Sequence, residues 1–395
     1  MTGLEIKALD DEHVMHTYGR FDVVIDHGTG ATLWSPEGDK YIDFASGIGV
    51  NSLGYGNVKW ADAIEKQAKK LGHISNLYYA EPGARLAAAL TDRTGMKNVF
   101  FANGGGEANE GMIKCARKYS FDKYGKGRST IITLLQSFHG RTVTTLAATG
   151  QEVFHNYFFP FTEGFRYAKA NDYSDLMDNM GDDVCAVMLE LVQGEGGVLP
   201  LDREYVKSVA EYCTEHDVLL LVDEVQTGIG RTGSLFCFQQ YGIMPDLVTF
   251  AKGVAGGLPM GGLMAGEKTF RVLTPGTHAT TFGGNPIAAA AGLVVIETLD
   301  ESFLSEVVKK GEYIRNTVTA WGLPCIASVR GLGLMIGIAL REASPRDAVV
   351  ECISHGLLAL TAGSDAVRLL PPLVITYSEI DEGLGIIKSV LEKLR

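Results

Sequence analysis

Apolar positions fall into short unbroken runs and into faces with helical spacing, and the two kinds alternate through the middle of the chain. Val218, Leu219, Leu220, Leu221 and Val222 run without a polar break and stop at Asp223. Leu247, Val248, Thr249, Phe250 and Ala251 stop in the same way at Lys252. Such short aliphatic and β-branched runs predict strands buried on both faces of a parallel sheet. Similar runs predict strands near 99–102, 130–135, 184–190 and 262–265. Helical patterns lie between them. In 202–216, Asp202 is a candidate N-cap, and Val206, Val209, Tyr212 and Cys213 recur on one face. Alternation from about Lys97 to Gly266 predicts one large α/β domain with helices on both faces of a mostly parallel sheet.

After Pro286 the pattern changes to two long helical stretches, 287–299 and 302–321. Strands follow near 325–330 and 333–340, then a helix, a short strand at 367–370 and a last helix from about 378. This order predicts a smaller α+β domain. Near the N-terminus, Asp22–His27 and Ala31–Phe44 read as hairpin strands, with Glu37-Gly38-Asp39 as a turn. The expected division is 1–55 packing with the small domain, 56–285 as the large domain and 286–395 as the small one.

Charge narrows the function classes. A net charge of −12 argues against nucleic acid or an anionic membrane as a partner. The longest apolar stretch, Ile287 to Ile296, is too short to span a bilayer, and the first residues lack a signal-peptide pattern. A cytoplasmic enzyme is expected. The cysteines are scattered without a C-x-x-C pair, so buried thiols are expected, with no zinc site or disulfide framework. His13 and His16 lie among acidic residues and read as a solvated pair; no metal site is predicted.

Open α/β sheets bind ligands at the C-terminal ends of their strands, so Asp223 and Lys252 are expected to face one crevice. A third element joins them: Val99–Ala102, then Asn103-Gly104-Gly105-Gly106, then a helical pattern opened by Glu107-Ala108-Asn109-Glu110. A strand, a glycine turn and a helix N-terminus form an anion cradle, because free N–H groups and the helix dipole both favour a phosphate. Pyridoxal 5'-phosphate requires an amine for its aldehyde, an acid for its ring nitrogen and donors for its phosphate.

Each residue also has a plainer reading. Lys252 could be a surface lysine at a strand end, yet the segment after it, Gly253-Val-Ala-Gly-Gly-Leu-Pro-Met, offers it little polar company. Asp223 could be a helix cap, Phe138 a core residue and Arg141 a surface charge. Arg368 interrupts the apolar run Val367–Leu373, and an arginine so placed is expected to hold an anion or a carboxylate. Gly228-Ile-Gly230-Arg-Thr-Gly233 fits the dinucleotide pattern G-x-G-x-x-G, but five residues separate it from the preceding strand and no helix pattern follows.

Taken together, the segments resemble the class III pyridoxal phosphate aminotransferases of fold type I, over essentially the whole chain. Within that class the similarity is greatest to the acetylornithine aminotransferases. It rests on Phe44–Gly54, Ser75–Pro82, Ser137–Thr142, Glu190–Gly197, Val222–Gly233, Ala251-Lys-Gly, Thr280–Pro286 and Leu370–Leu373. The resemblance implies a large domain with a seven-stranded type of sheet, a small α+β domain and a homodimer with shared active sites. It implies that Lys252 links to the cofactor aldehyde, Asp223 pairs with the ring nitrogen, Phe138 stacks on the ring and Gln226 lies near the ring hydroxyl. Gly105 and Gly106 would donate amides to the phosphate, with Thr281 reaching it from the other subunit. Arg141 and Arg368 resemble carboxylate-binding arginines, and Glu195 the acid that pairs with Arg368 when the donor presents one carboxylate nearby. Ile48 stands where ornithine aminotransferases tend to carry tyrosine, which favours an acylated donor.

The implied reaction is ping-pong transfer of the terminal amino group of N-acetylornithine to 2-oxoglutarate. Ornithine, succinylornithine, 4-aminobutyrate and N-acyl lysine or diaminopimelate precursors are the other donors in view. A same-fold aminomutase and a non-catalytic sensor are the alternatives outside the class; the first would not need 2-oxoglutarate, the second would need a basic DNA-binding module. Two departures stand out. The family usually has serine at Gly104 and threonine or alanine at Gly106, and Gly54-Tyr-Gly-Asn-Val replaces a common Gly-His-Gly-His-Pro.

Overall fold

The computed structural model describes residues 1–393. Its largest sheet has seven strands, in the order Asn98–Ala102, Gly261–Ala265, Leu247–Phe250, Leu219–Asp223, Val184–Leu189, Thr130–Leu134 and Phe165–Ala168. Gly261–Ala265 runs antiparallel to both of its neighbours, and the other pairings are parallel. The central runs are buried at every position, as a sheet covered on both faces requires. Leu221 pairs with Leu247 and Asp223 with Thr249, so the ends carrying Asp223 and Lys252 emerge side by side.

The edge strand Phe165–Ala168 was not expected from the sequence. It is four residues long, contains Arg166 and is only partly buried over three of its positions, so it lacks the apolar run that marks its neighbours. Helix Arg203–Glu215 forms as predicted: the Asp202 carboxylate accepts from the amides of Glu204 and Tyr205, and Val206, Val209 and Cys213 are buried. Tyr212 is only partly buried and stacks on His216.

The N-terminal region differs in detail from the expected hairpin. A helix, Gly3–His13, opens the chain with a capping box at Thr2. Three short strands follow, His27–Thr29, Thr32–Trp34 and Lys40–Asp43, and the Glu37-Gly38-Asp39 turn joins the last two. Leu357–Leu358 adds to Lys40–Asp43 in parallel, which ties this region to the C-terminal part. There a second four-stranded sheet, Ile326–Leu332, Met335–Leu340, Ala366–Leu369 and Leu360–Ala362, is antiparallel throughout. Helices Pro286–Thr298, Glu301–Ala320 and Tyr377–Leu391 lie close to the predicted spans. Arg368 sits on a fully buried strand of this sheet. Among the described residues no helix is long and apolar enough to cross a membrane.

Candidate active site

Asp223 closes its strand at 4% exposure. Its Oδ2 accepts from Asn109 Nδ2 at 2.7 Å and from His139 Nδ1 at 2.8 Å, and its Oδ1 from the Val225 amide at 3.0 Å. A carboxylate only accepts, so the His139 proton in this bond is on Nδ1. Asn109 is itself fixed: its Oδ1 accepts from Thr249 Oγ1 at 2.7 Å, and its Nδ2 also donates to the His139 carbonyl at 2.7 Å. The acid is therefore oriented by a helix, a turn and the neighbouring strand at once.

Lys252 follows Ala251 at the end of the adjacent strand, with a left-handed φ of 43°. Strained backbone at a non-glycine residue is characteristic of functional sites. Burial lowers the Lys252 ammonium to about 8, with Glu195 opposing the shift and Arg368 adding to it. Lys252 and Asp223 line one cavity of about 630 Å³.

The same cavity is bounded by Gly104, Gly105 and Gly106, where helix Gly105–Tyr124 starts without a side-chain cap. Its first amides are thus open to an anion. A Cβ on Gly105 would lie 2.7 Å from Val225 Cγ1, so glycine is required there for close packing. Gly104 is different: its φ is −170°, and a Cβ would meet nothing within 4 Å.

Phe138 lines the cavity, and its amide donates to Glu190 Oε1 at 2.7 Å. Glu190 Oε2 accepts from the Gly194 amide at 3.3 Å, and burial raises this carboxyl above its ordinary range. Glu195 and Arg368 form a two-bond ion pair, Nη1 to Oε1 at 2.7 Å and Nη2 to Oε2 at 3.3 Å. Gln226 joins them, its Oε1 accepting from Arg368 Nη1 at 3.2 Å and its Nε2 donating to Glu195 Oε1 at 3.5 Å. Burial pushes Glu195 up, but Arg368, Lys252 and Gln226 together hold it below its ordinary value. Arg368 is buried, and its Nε has no partner among the described residues.

Arg141 lies at the cavity wall and is exposed. Thr281 is also exposed but does not line this cavity, and neither does Ile48, which is 44% exposed in the left-handed turn Ser46–Gly49. Val50 lines it in place of Ile48. The Gly228–Gly233 loop carries no helix; its buried Arg231 donates to the carbonyls of Leu334 and Pro371, bracing the loop against the second sheet. Sequence reasoning assigned no role to Asn109, His139, Thr249 or Glu190. Asn109 had a usable signal, a polar side chain on a helix face otherwise formed by Ala108, Met112 and Ile113.

These groups fit pyridoxal phosphate: the uncapped helix start suits a phosphate, the oriented Asp223 suits a ring nitrogen, and the Lys252 amine loses its proton readily.

Comparison with known proteins agrees. The description aminotransferase class-III matches residues 14–391. An acetylornithine aminotransferase of Haemophilus ducreyi is 49% identical, covering 100% of both chains, and one of Methanocaldococcus jannaschii is 40% identical, covering 98% of each. Among solved structures, the ornithine aminotransferase of Toxoplasma gondii ME49 superposes with a TM-score of 0.94 at 30% identity, over 99% of this chain and 95% of that one. The N-acetylornithine aminotransferase of Stenotrophomonas maltophilia K279a gives 0.84 at 35% identity, over 98% of each. The chain belongs to the class III aminotransferases, pyridoxal phosphate-dependent transaminases of fold type I.

Proposed function

We propose that the enzyme moves the terminal amino group of N-acetylornithine to 2-oxoglutarate, forming N-acetylglutamate 5-semialdehyde and glutamate. The full-length similarity to acetylornithine aminotransferases supports the donor. The observation that carries the mechanism is the Glu195–Arg368 pair beside Lys252 and Asp223.

When bound, pyridoxal phosphate supplies an aldehyde for the amino group and an electron-withdrawing ring. Lys252, with its depressed pKa, would hold the cofactor's aldehyde and, when free, would move a proton at the donor's amino-bearing carbon. Asp223 would hold a proton on the ring nitrogen, Phe138 would pack on the ring and Gln226 would serve the ring hydroxyl. Gly105 and Gly106 would receive the phosphate, with Thr281 of a second copy reaching it. Arg141 takes a substrate carboxylate at the wall of the site.

One pocket must accept a donor and a dicarboxylate in turn. With the donor bound, Glu195 neutralises Arg368; with 2-oxoglutarate, a substrate carboxylate takes its place. An unpaired buried arginine would cost roughly 3–5 kcal/mol, so the pair must exchange partners, not simply open. Under the proposed division into 1–55, 56–285 and 286–395, this gate spans the large and small domains.

A homodimer is supported by exposed Leu77, Tyr78, Tyr79 and Phe282, large apolar side chains near Thr281. The five buried free thiols among the described residues suit a reducing compartment, and the cytoplasm is the proposed location. Amino transfer from N-acetylornithine, ornithine and 4-aminobutyrate to 2-oxoglutarate, measured side by side, tests the reading. N-acetylornithine should have the highest kcat/KM; turnover without 2-oxoglutarate would indicate an aminomutase.

A further inference from the structure

Phe154 has no role in the mechanism above, yet it makes the nearest aromatic contact to Arg141. The Arg141 guanidinium carbon lies 4.1 Å from the Phe154 ring centre and 5.4 Å from that of Phe138. The two rings meet edge to face, with centres 5.9 Å apart at 74°. Phe154 sits in a single 3-10 turn, Glu152–Phe154, a segment separate from the Ser137–Thr142 loop that carries Phe138 and Arg141.

We infer that Phe154 is a positioning residue that sets substrate-carboxylate recognition by holding the Arg141 guanidinium flat against its ring. The inference rests on the proposed role of Arg141. An exposed arginine has many rotamers, and fixing one before substrate arrives reduces what binding must order. Stacking suits this task, because a guanidinium lying over a ring presents its planar face to it. The N–H edge then stays free to form two parallel bonds to a carboxylate. A carboxylate partner in place of Phe154 would hold the arginine equally well but would occupy that edge. Phe138 belongs to the same aromatic unit, so the wall that positions Arg141 is continuous with the ring face expected to meet the cofactor.

The test compares Phe154→Leu, which keeps apolar bulk but removes the ring, with Phe154→Tyr, which keeps the ring. The substrates are N-acetylornithine and N-acetylputrescine, the same amine without its carboxylate. A cation–π contact at an exposed site corresponds to about a 2- to 5-fold effect. F154L should raise KM for N-acetylornithine in that range with kcat nearly unchanged, and F154Y should stay close to wild type. Neither should alter kcat/KM for N-acetylputrescine. Binding of glutarate to the holoenzyme, followed by calorimetry, should weaken in F154L by a similar factor; this readout holds even if N-acetylornithine is not the donor, which the wild-type assay decides separately. Equal losses on both amines, or unchanged KM and glutarate affinity in F154L, would overturn the inference. If F154L does not fold, Phe154→Met answers the same question.

Discussion

Glu195 and Arg368 are 173 positions apart in the chain and meet through two hydrogen bonds at the edge of the cavity that holds Lys252. Arg368 is on a buried strand of the second sheet, whereas Glu195 is on a turn and is 30% exposed. The acid is therefore the member free to move. Replacing Glu195 by Gln keeps the shape and removes the charge. KM for 2-oxoglutarate should fall, and the ratio of the two half-reaction rates should shift by about tenfold or more, equivalent to about 1.4 kcal/mol. Cofactor affinity should change little. Single-turnover measurements of each half-reaction check this, and an unchanged ratio would remove the gate.

Lys252 predicts a pH-dependent stability in the cofactor-free protein. Its folded pKa of about 8 lies below the ordinary 10.5, so between these values the unfolded chain holds more protons and stability contributed by this group rises with pH. Below about 8 both states are protonated and the full penalty applies. Lys252→Met should therefore stabilise the cofactor-free protein near pH 7 by about 1–3 kcal/mol, with the gain shrinking toward pH 10. Denaturant titrations of both proteins across this range give the difference directly.

The glycine cradle predicts opposite effects at adjacent positions. Gly105→Ala would drive a methyl group into Val225, whereas Gly104→Ser would enter open space with backbone angles any residue adopts. G105A should weaken pyridoxal phosphate binding about tenfold or more. G104S should strengthen it several-fold, since one added hydrogen bond is worth about 0.5–1.5 kcal/mol. Equilibrium titration of the cofactor-free variants separates the two.

Asn109 serves Asp223, Thr249 and the His139 carbonyl together. Asn109→Ala leaves buried partners without bonds and should destabilise the protein by about 1–3 kcal/mol. It should also lower kcat, because Asp223 loses one of the donors that orient it. Thermal melting and steady-state kinetics check the two effects, and a variant with normal stability and rate would contradict the network.

Asp223 and Lys252 were legible in the sequence because each ends a buried run, and a register of adjacent parallel strands then places such ends together. The cradle was legible for a similar reason, since a strand, glycines and a helix start are contiguous in the chain. Glu195 and Arg368 were paired only through family resemblance; no periodicity links a turn in one sheet region with a strand in another. His139 was hidden inside a motif whose neighbours, Phe138 and Arg141, carry more obvious chemistry. The strand Phe165–Ala168 was missed because an edge position needs no apolar run.

The covalent partnership of Lys252 with the cofactor underlies the whole mechanism, and reductive trapping tests it directly. Protein incubated with pyridoxal phosphate and then borohydride should carry the label on the peptide containing Lys252, and Lys252→Met should carry none there. Label fixed on a different lysine in the native protein, or no label at all, would contradict it.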